Sequence, residues 1–160
     1  MGIVVSQGVW RNGSKTGTHQ VIGFDDQDRL LIGSMTGNEA IAAGVRDAVA
    51  WGPVLIVNGQ AMDVGDSGGG LNPRTAIGQR ADGAVLLLVI DGRQTNSLGG
   101  SYADLIDVML EFGAVNAANL DGGTSTSMVY DGQIINKVSS LYGERPLPTC
   151  FVVKRVEHEQ

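Results

Sequence analysis

The sequence has one cysteine, four prolines and no long apolar run, and these scarcities exclude several classes of protein. A single Cys150 cannot form a disulfide within the chain, and its apolar surroundings at 148–153 favour a small buried hydrophobic residue. No segment approaches the roughly 18 apolar residues of a membrane-spanning helix, and the N-terminus lacks the basic flank and apolar stretch of a signal peptide. We therefore expect neither a disulfide framework nor a membrane span.

Positive charge is also scarce. The 11 Lys and Arg residues are outnumbered by 17 Asp and Glu residues, and they are scattered singly. Without a basic stripe to lie along a phosphate backbone, general nucleic-acid binding is not expected. The two histidines, His19 and His158, are far apart and lack ligand spacing to cysteine or carboxylates, so we predict no metal site and no cofactor.

Glycine, by contrast, is abundant. The 160 residues include 24 glycines and are 42% hydrophobic, which is a composition typical of a turn-rich globular protein and not of a disordered one. A chain of this length can bury one core, so we predict a single domain over 1–160 with a polar tail from about 154.

Apolar segments on either side of polar turns predict strands that pair as hairpins. The predicted strands are 19–24 with 30–32, 54–57 leading into the turn at 58–59, 74–79 with 84–90, 127–130 with 133–135, and a last strand at 150–153. The segment 84–90 is so apolar that we expect it to be covered on both faces, as a central strand is. The segment 64–72 is too rich in glycine for a strand and is predicted to be a loop.

Two helices are predicted from capping signals and helical spacing. A short helix begins after Thr36, with Glu39 at capping-box spacing, and ends near Gly44. A longer helix at 101–113 is capped by Ser101, and its wide apolar surface predicts that it is largely buried. The predicted fold class is α+β, with a mainly antiparallel, twisted sheet of hairpins around that one buried helix.

Chemistry is concentrated in the segment Asn119-Leu120-Asp121-Gly122-Gly123, which four Ser or Thr residues follow. A carboxylate at a strand end, two glycines that let a ligand approach the backbone, and a run of hydroxyl groups form a dense polar cluster. Glycosyl transfer uses such a carboxylate as nucleophile, base or cation stabiliser. The alternative is an ordinary Asp-Gly turn, and spacing alone does not decide between them.

Three arginines lie beside similar turns: Arg74, Arg93 and Arg145. Guanidinium groups bind phosphate bidentately, so arginines that converge would hold a phosphoryl group. An arginine on its own is more often a solvated or ion-paired surface residue. The phosphate hypothesis therefore depends on whether the fold brings them together.

One other loop motif has a familiar form. The sequence Gly65-Asp66-Ser67-Gly68-Gly69 is similar to the nucleophile motif of serine proteases, but no supporting His and Asp arrangement surrounds it. It also lacks the lysine of a phosphate-binding P-loop. We expect neither activity.

Taken in order and spacing, five segments resemble the phosphodiester glycosidase family. They are Arg74-Thr75-Ala76-Ile77-Gly78, Asp91-Gly92-Arg93, Gly113-Ala114, Asn119-Leu120-Asp121-Gly122-Gly123 and Glu144-Arg145-Pro146. The resemblance is densest over 74–153 and looser before it. It implies hydrolysis of a sugar that is joined through its anomeric carbon to a phosphodiester, with release of the free sugar and a phosphomonoester.

The resemblance also implies roles for individual residues. The implied catalytic residues are Asp121, Asn119 and Asp91, with the alternative that Asp91 holds an arginine in place. The implied phosphate-binding residues are Arg74, Arg93 and Arg145, and the implied sugar or loop contacts are Thr75, Gly122, Gly123, Thr124 and Ser125. The implied partner is a carbohydrate phosphodiester, such as an exported or cell-envelope glycan phosphate.

The sequence departs from the family in two places. Thr124 stands where the family usually has Gly, and an N-terminal segment with an Asn-Gly-Gly-Phe-like element is not found. A companion N-terminal segment or a homo-oligomer would supply what is missing. The alternative function is a non-catalytic sugar-phosphate-binding module or an incomplete domain.

Overall fold

The computed structural model describes residues 2–65 and 70–154. Its strands are β1 Val4–Ser6, β2 Val9–Asn12, β3 Thr18–Asp25, β4 Leu30–Thr36, β5 Val45–Ala50, β6 Val54–Val57, β7 Gln60–Ala61, β8 Arg74–Arg80, β9 Val85–Ile90, β10 Ala114–Asn119, β11 Val129–Tyr130 and β12 Gln133–Ile134. Its helices are α1 Gly37–Ala42 and α2 Tyr102–Glu111, and Gly123–Ser125 form a 3₁₀ turn. Positions 66–69 of the predicted glycine-rich loop and 155–160 of the predicted polar tail lie outside the described residues.

The strands form two five-stranded sheets and a separate two-stranded hairpin, β11–β12. The first sheet has the order β2-β1-β5-β3-β4 and the second β7-β6-β10-β8-β9. All pairings between the described strands are antiparallel, and the four predicted hairpins, β3–β4, β6–β7, β8–β9 and β11–β12, are confirmed. Three strands of the first sheet, β1, β2 and β5, were not predicted.

The two sheets pack against each other through one apolar layer. Ile22 and Phe24 of β3 and Leu30 of β4 contact Ile77 of β8 and Ala118 of β10. The prediction of one sheet wrapped around a helix is therefore wrong in this detail. The inner faces of the two sheets pack against each other, so a helix can contact a sheet only on its outer face. The sheet-rich, mainly antiparallel character is confirmed.

The outer face of each sheet is covered by one helix. Side chains alternate between the two faces of a strand, so each strand contributes residues both to the layer between the sheets and to the contact with a helix. Val21 of β3 faces Ala40 of α1, whereas Ala117 of β10 faces Leu105 of α2. The domain therefore has its helices on the outside and its two sheets in the middle.

Strand β9 lies at the edge of the second sheet, so the prediction of a central strand there is wrong. Val85 and Leu87 are 42% and 44% exposed, on the face of β9 opposite Leu86 and Leu88, which pack against the α2 cluster. The central strand is β10, which pairs with β6 on one side and β8 on the other. Alanines at three of its six positions make β10 a less obvious apolar segment than β9.

Helix α2 begins with the predicted capping box, in which Ser101 and Asp104 exchange side-chain and backbone hydrogen bonds. Its buried residues are Leu105, Ile106 and Met109, each of which contributes roughly 1.5–3 kcal/mol by full burial. Leu110, however, is 37% exposed. The helix is thus buried along one face against the second sheet, and the prediction that it is largely buried is not confirmed.

The predicted strand at 150–153 is absent, since residues 150–154 are in irregular structure. Cys150 is exposed, so its predicted burial is also wrong. Phe151 supplies the one aromatic contact of this segment, packing edge-on against Phe24 with ring centroids 6.0 Å apart. Among the described residues, no helix is long and apolar enough to cross a membrane.

Candidate active site

The loop that follows strand β10, residues 120–125 with Asp121, lies beside the N-terminal end of β8. Past Asn119 the chain stays in contact with β8, since Leu120 donates its N–H to the carbonyl oxygen of Thr75 at 2.8 Å and Gly123 donates to Pro73 at 2.8 Å. A Cβ atom at Gly122 would lie 2.7 Å from the carbonyl oxygen of Pro73, closer than van der Waals contact allows. The glycine is therefore required for this loop to lie against β8.

Asp121 forms an ion pair with Arg145, with 3.2 Å between a carboxylate oxygen and Nη2. The same guanidinium group donates from Nε and Nη2 to the hydroxyl oxygen of Ser125, at 3.1 Å from Nε. The side chains of Asp121 and Arg145 are 42% and 52% exposed, whereas Ser125 is buried at 6%. The Asp121 carboxylate and the Arg145 guanidinium group are thus partly exposed to solvent, and the buried Ser125 hydroxyl holds the guanidinium group in place.

Arg93 lies on the other side of the same 3₁₀ turn. Its backbone has φ of 57°, in the left-handed region, and Nη2 donates to Oδ1 of Asn72 at 2.9 Å. A Cβ atom at Gly123 would lie 3.4 Å from Nη2 of Arg93, so this guanidinium group rests against the backbone of the turn. Arg93 thus lies against the turn at Gly123 and Arg145 contacts it at Ser125, and joint binding of one phosphate by the two arginines stays a prediction.

Arg74 occupies a different environment. It is 6% exposed, Nε donates to the carbonyl oxygen of Gly100 at 2.9 Å and Nη2 to that of Gly70 at 2.8 Å. Its guanidinium carbon lies 4.3 Å from the centroid of the Tyr102 ring. These contacts tie together the segments on either side of β8, and they differ from the exposed, loop-facing contacts of Arg93 and Arg145.

The start of α2 fixes the carbonyl group that Arg74 contacts. Gly100 directly precedes Ser101, the N-cap, whose backbone N–H donates to Oδ2 of Asp104 at 2.7 Å. This backbone hydrogen bond, with a second from the Ser101 hydroxyl, lowers the pKa of Asp104 below its ordinary value. An ionised cap thus helps to hold the Gly100 carbonyl group in place.

Asp91 directs its carboxylate into a network of hydrogen bonds at the end of β9. It accepts from the backbone N–H of Lys137, at 3.0 Å and 3.1 Å to its two oxygens, and from Nδ2 of Asn136 at 3.1 Å. Its carbonyl oxygen accepts from the Ser97 hydroxyl at 2.6 Å. The predicted alternative, that Asp91 holds an arginine, has no ion pair to support it among the described residues.

Asn119 is 3% exposed, and its Nδ2 donates to the carbonyl oxygen of Gly52 at 2.7 Å. Its backbone N–H donates to Pro53, at 2.9 Å, so the residue braces the segment that enters β6. Within the described residues Oδ1 of Asn119 is buried without a hydrogen-bond partner. Thr75 lies next to the loop and shares a 3.4 Å hydroxyl contact with Thr126.

A cavity of about 230 Å³ opens beside Arg145. Hydroxyl groups, a carboxylate and apolar side chains line it together: Thr124, Ser125, Ser127, Val138, Glu144, Arg145, Leu147, Thr149 and Cys150. Its volume corresponds to roughly eight waters at about 30 Å³ each, which is room for one sugar ring.

Three polar residues near the site were given no site role by the sequence: Asn72, Asn136 and Glu144. Asn72 and Asn136 have no motif that singles them out, since their partners lie 21 and 45 positions away in sequence. Within 2–65 and 70–154, no group of three or more His, Cys, Asp or Glu side chains could hold a metal ion. The expectation that no metal is needed stays a prediction.

The fold and this loop together define a class: an antiparallel two-sheet domain that presents a carboxylate paired with a partly exposed arginine. The family model of phosphodiester glycosidases matches residues 1–154. The chain belongs to the phosphodiester glycosidase family.

Relatives of known sequence are longer than this chain. It is 31% identical over 149 residues to the SPbeta prophage-derived uncharacterized protein YomE of Bacillus subtilis (strain 168), an alignment that covers 87% of this chain and 23% of that protein. It is 38% identical over 64 residues to the N-acetylglucosamine-1-phosphodiester alpha-N-acetylglucosaminidase of Bos taurus, covering 40% of this chain and 12% of that enzyme. The chain therefore corresponds to less than a quarter of either relative.

The fold is shared with a solved structure, the zebrafish N-acetylglucosamine-1-phosphodiester alpha-N-acetylglucosaminidase catalytic domain auto-inhibited by its pro-peptide. The TM-score is 0.72 at 20% sequence identity, and the match covers 85% of this chain and 50% of that chain. At this identity the comparison supports the fold and not the chemistry.

Proposed function

We propose that this chain hydrolyses a glycosyl-1-phosphodiester and releases the free sugar and a phosphomonoester. The observation that carries the proposal is the Asp121–Arg145 pair on Ser125, with the guanidinium group of Arg93 against the same turn. It combines an acidic group suited to an anomeric carbon with cationic groups suited to the neighbouring phosphate.

In this proposal Arg93 and Arg145 bind the phosphate. Both are exposed and held by neutral partners, Asn72 and Ser125, so neither must leave a buried position to accept a substrate oxygen. The pairing of Arg145 with Asp121 is between half-exposed groups, and such pairs are worth only about 0–1 kcal/mol. A substrate phosphate can therefore displace it at little cost. Arg74 supports the site indirectly, through the carbonyl groups that it holds.

Asp121 acts at the anomeric carbon, as nucleophile, as base toward water or as stabiliser of the developing cation. Overall, the water oxygen bonds to the anomeric carbon, the bond from that carbon to the phosphate oxygen breaks, and its electron pair leaves with the phosphate. The proton that water loses passes to the base and then to solvent. Because a phosphate ester is a good leaving group, the two arginines can replace the strong general acid of other glycosidases.

The sugar occupies the cavity beside Arg145, where the hydroxyl groups of Thr124 and Ser125 offer hydrogen bonds. Asn119 and Asp91, which sequence analysis predicts to be catalytic, act in this proposal as positioning residues, because Nδ2 of Asn119 and the Asp91 carboxylate already bind backbone groups. The bovine relative is named for N-acetylglucosamine-1-phosphodiesters, so these are the first substrates to test.

The test is release of free reducing sugar from a panel of sugar-1-phosphodiesters, with Asp121→Asn beside the wild type. We expect at least about a hundredfold loss in the variant, the scale of an acid or base contribution. Asp131→Asn is the matched control, since Asp131 is exposed in the β11–β12 turn at φ of 48°, where asparagine is equally at home. Full activity in Asp121→Asn would refute the role of Asp121.

A binding module gives a different result in the same experiment. It would bind N-acetylglucosamine 1-phosphate, measured by calorimetry, without releasing sugar from any diester. A catalytic site that needs a companion segment or a second copy would release sugar only when that part is added. Folded wild-type protein that neither binds nor hydrolyses would contradict the proposal.

A further inference from the structure

The side chain of Asn136 makes three hydrogen bonds, to residues 8, 10 and 45 positions away in the sequence. It lies two positions after the end of β12 and is half-buried. Nδ2 donates to Oδ1 of Asp91 at 3.1 Å and to the carbonyl oxygen of Thr126 at 3.2 Å, while Oδ1 accepts from the N–H of Met128 at 2.7 Å. Only this orientation of the amide gives all three partners a matching donor or acceptor.

Asp91 belongs to the segment that carries Arg93, whereas Thr126 and Met128 follow Ser125, the residue that the Arg145 guanidinium group contacts. Asp91 is two positions before Arg93 in the same turn. Thr126 directly follows Ser125, on which the guanidinium group of Arg145 rests. Asn136 therefore connects the support of one arginine to the support of the other.

A phosphate group that is held by two guanidinium groups requires a fixed distance between them, because charge-assisted hydrogen bonds depend on both length and angle. Arg93 and Arg145 lie on segments that leave different elements, one after β9 and one in irregular structure beyond β12. Strand pairing alone therefore does not set their spacing. The Asn136 side chain joins Asp91 to the stretch that follows Ser125, beside the backbone hydrogen bond from Lys137 to Asp91, and so bears on this spacing.

We propose that Asn136 is a positioning residue that sets the spacing of the Arg93 and Arg145 guanidinium groups for one substrate phosphate. The inference rests on the proposed function. Gln94, next to Arg93, also connects this turn to the residues that follow β12, since its Nε2 donates to the carbonyl oxygen of Lys137 at 3.0 Å. Loss of Asn136 thus loosens the arrangement without dissolving it.

The test compares Asn136→Ala, Asn136→Asp, Asp91→Asn and the double variant Asp91→Asn/Asn136→Asp. Asn136→Asp keeps the acceptor for Met128 but sets a carboxylate oxygen against both Asp91 and the carbonyl oxygen of Thr126. In the double variant the new amide at position 91 can donate to the new carboxylate at position 136, so the lost hydrogen bond is restored with donor and acceptor exchanged. Asn38→Asp is the control for the added charge, because Asn38 is an exposed residue of α1 on the first sheet.

Two affinities are measured for each variant by calorimetry, those for N-acetylglucosamine 1-phosphate and for free N-acetylglucosamine. We expect Asn136→Ala and Asn136→Asp to weaken the sugar phosphate by about tenfold to a hundredfold, the effect of losing a hydrogen bond to a charged group. We expect free sugar to be unaffected and the double variant to recover part of the loss, because the hydrogen bond to the Thr126 carbonyl oxygen stays broken. Faster hydrogen exchange of the Met128 amide in Asn136→Ala shows that the bridge itself has opened.

Equal losses for sugar and sugar phosphate would overturn the inference, because they would mean general distortion of the site. Wild-type affinity in Asn136→Asp, or no recovery in the double variant, would overturn it as well. Failure of the proposed hydrolysis is distinguished from these results, because wild-type protein that binds the sugar phosphate without turnover still allows every affinity comparison.

Discussion

Replacement of Arg145 by lysine separates its part in the site from its part in stability. Lysine retains the positive charge but loses the planar fork that binds two oxygens at once. The ion pair that Arg145 forms with Asp121 joins side chains that are 52% and 42% exposed, so its loss costs at most about 1 kcal/mol of unfolding free energy. The loss of a bidentate bond to phosphate costs about 1.5–3 kcal/mol, which is roughly tenfold to a hundredfold in affinity.

The assay measures KM for sugar release and the unfolding free energy in urea for the same samples. Arg80→Lys is the matched control, since Arg80 forms a surface ion pair with Asp82 at 2.9 Å and both side chains are about half exposed, at 48% and 57%. We expect both variants to keep their stability within about 1 kcal/mol. Only Arg145→Lys should raise KM. Equal KM values for the two variants would refute the assignment of Arg145 to the phosphate.

Two further predictions concern the Asp121 loop and the β3–β4 hairpin. Gly122→Ala should lower sugar release and cost about 1–3 kcal/mol in urea unfolding, because its Cβ would lie 2.7 Å from the Pro73 carbonyl oxygen; unchanged stability would contradict that contact. Asp25 has a pKa below its ordinary value of 3.8, chiefly through the backbone hydrogen bond from Arg29, with burial opposing it. Its carboxylate therefore stabilises the fold above pH 3.8, and this contribution is lost as the pH falls through the lowered pKa. Asp25→Asn should accordingly be less stable than wild type near pH 7, with the gap closing in acid, whereas Asp26→Asn, at the exposed neighbouring position, should stay within about 0.5 kcal/mol of wild type at pH 7.

Local chemistry determined what could be predicted from the sequence. The Asn58-Gly59 and Asp82-Gly83 turns and the two capping boxes depend on residues within four positions of each other, and all are present. The order of strands depends on pairings between distant segments, so the apolar character of β9 indicated burial but not its place at the edge. Nothing in the sequence reports that place.

The arginines show the same limit within the site. Arg74 and Arg93 stand beside similar turns, yet one is buried under Tyr102 and the other is exposed against Gly123. Only the packing of α2 on the second sheet distinguishes them. Asn136 was missed for a related reason, since its importance lies in three bonds to other segments and not in its neighbours.

The contact of Phe151 with Phe24 has a consequence for the reach of Arg145. Each residue to which the sequence assigned a site role lies at position 74 or beyond, and none lies in the first sheet. Yet Phe24 of that sheet packs against Phe151, at the end of the irregular segment 136–151, and the hydrogen bonds of Asn136 hold the start of the same segment. Arg145 thus lies in a segment that is held at both ends, and the fraction of time that its guanidinium group spends at Ser125 depends on both attachments. We therefore expect the first sheet to hold the segment that carries Arg145, although no residue of that sheet is assigned to the site.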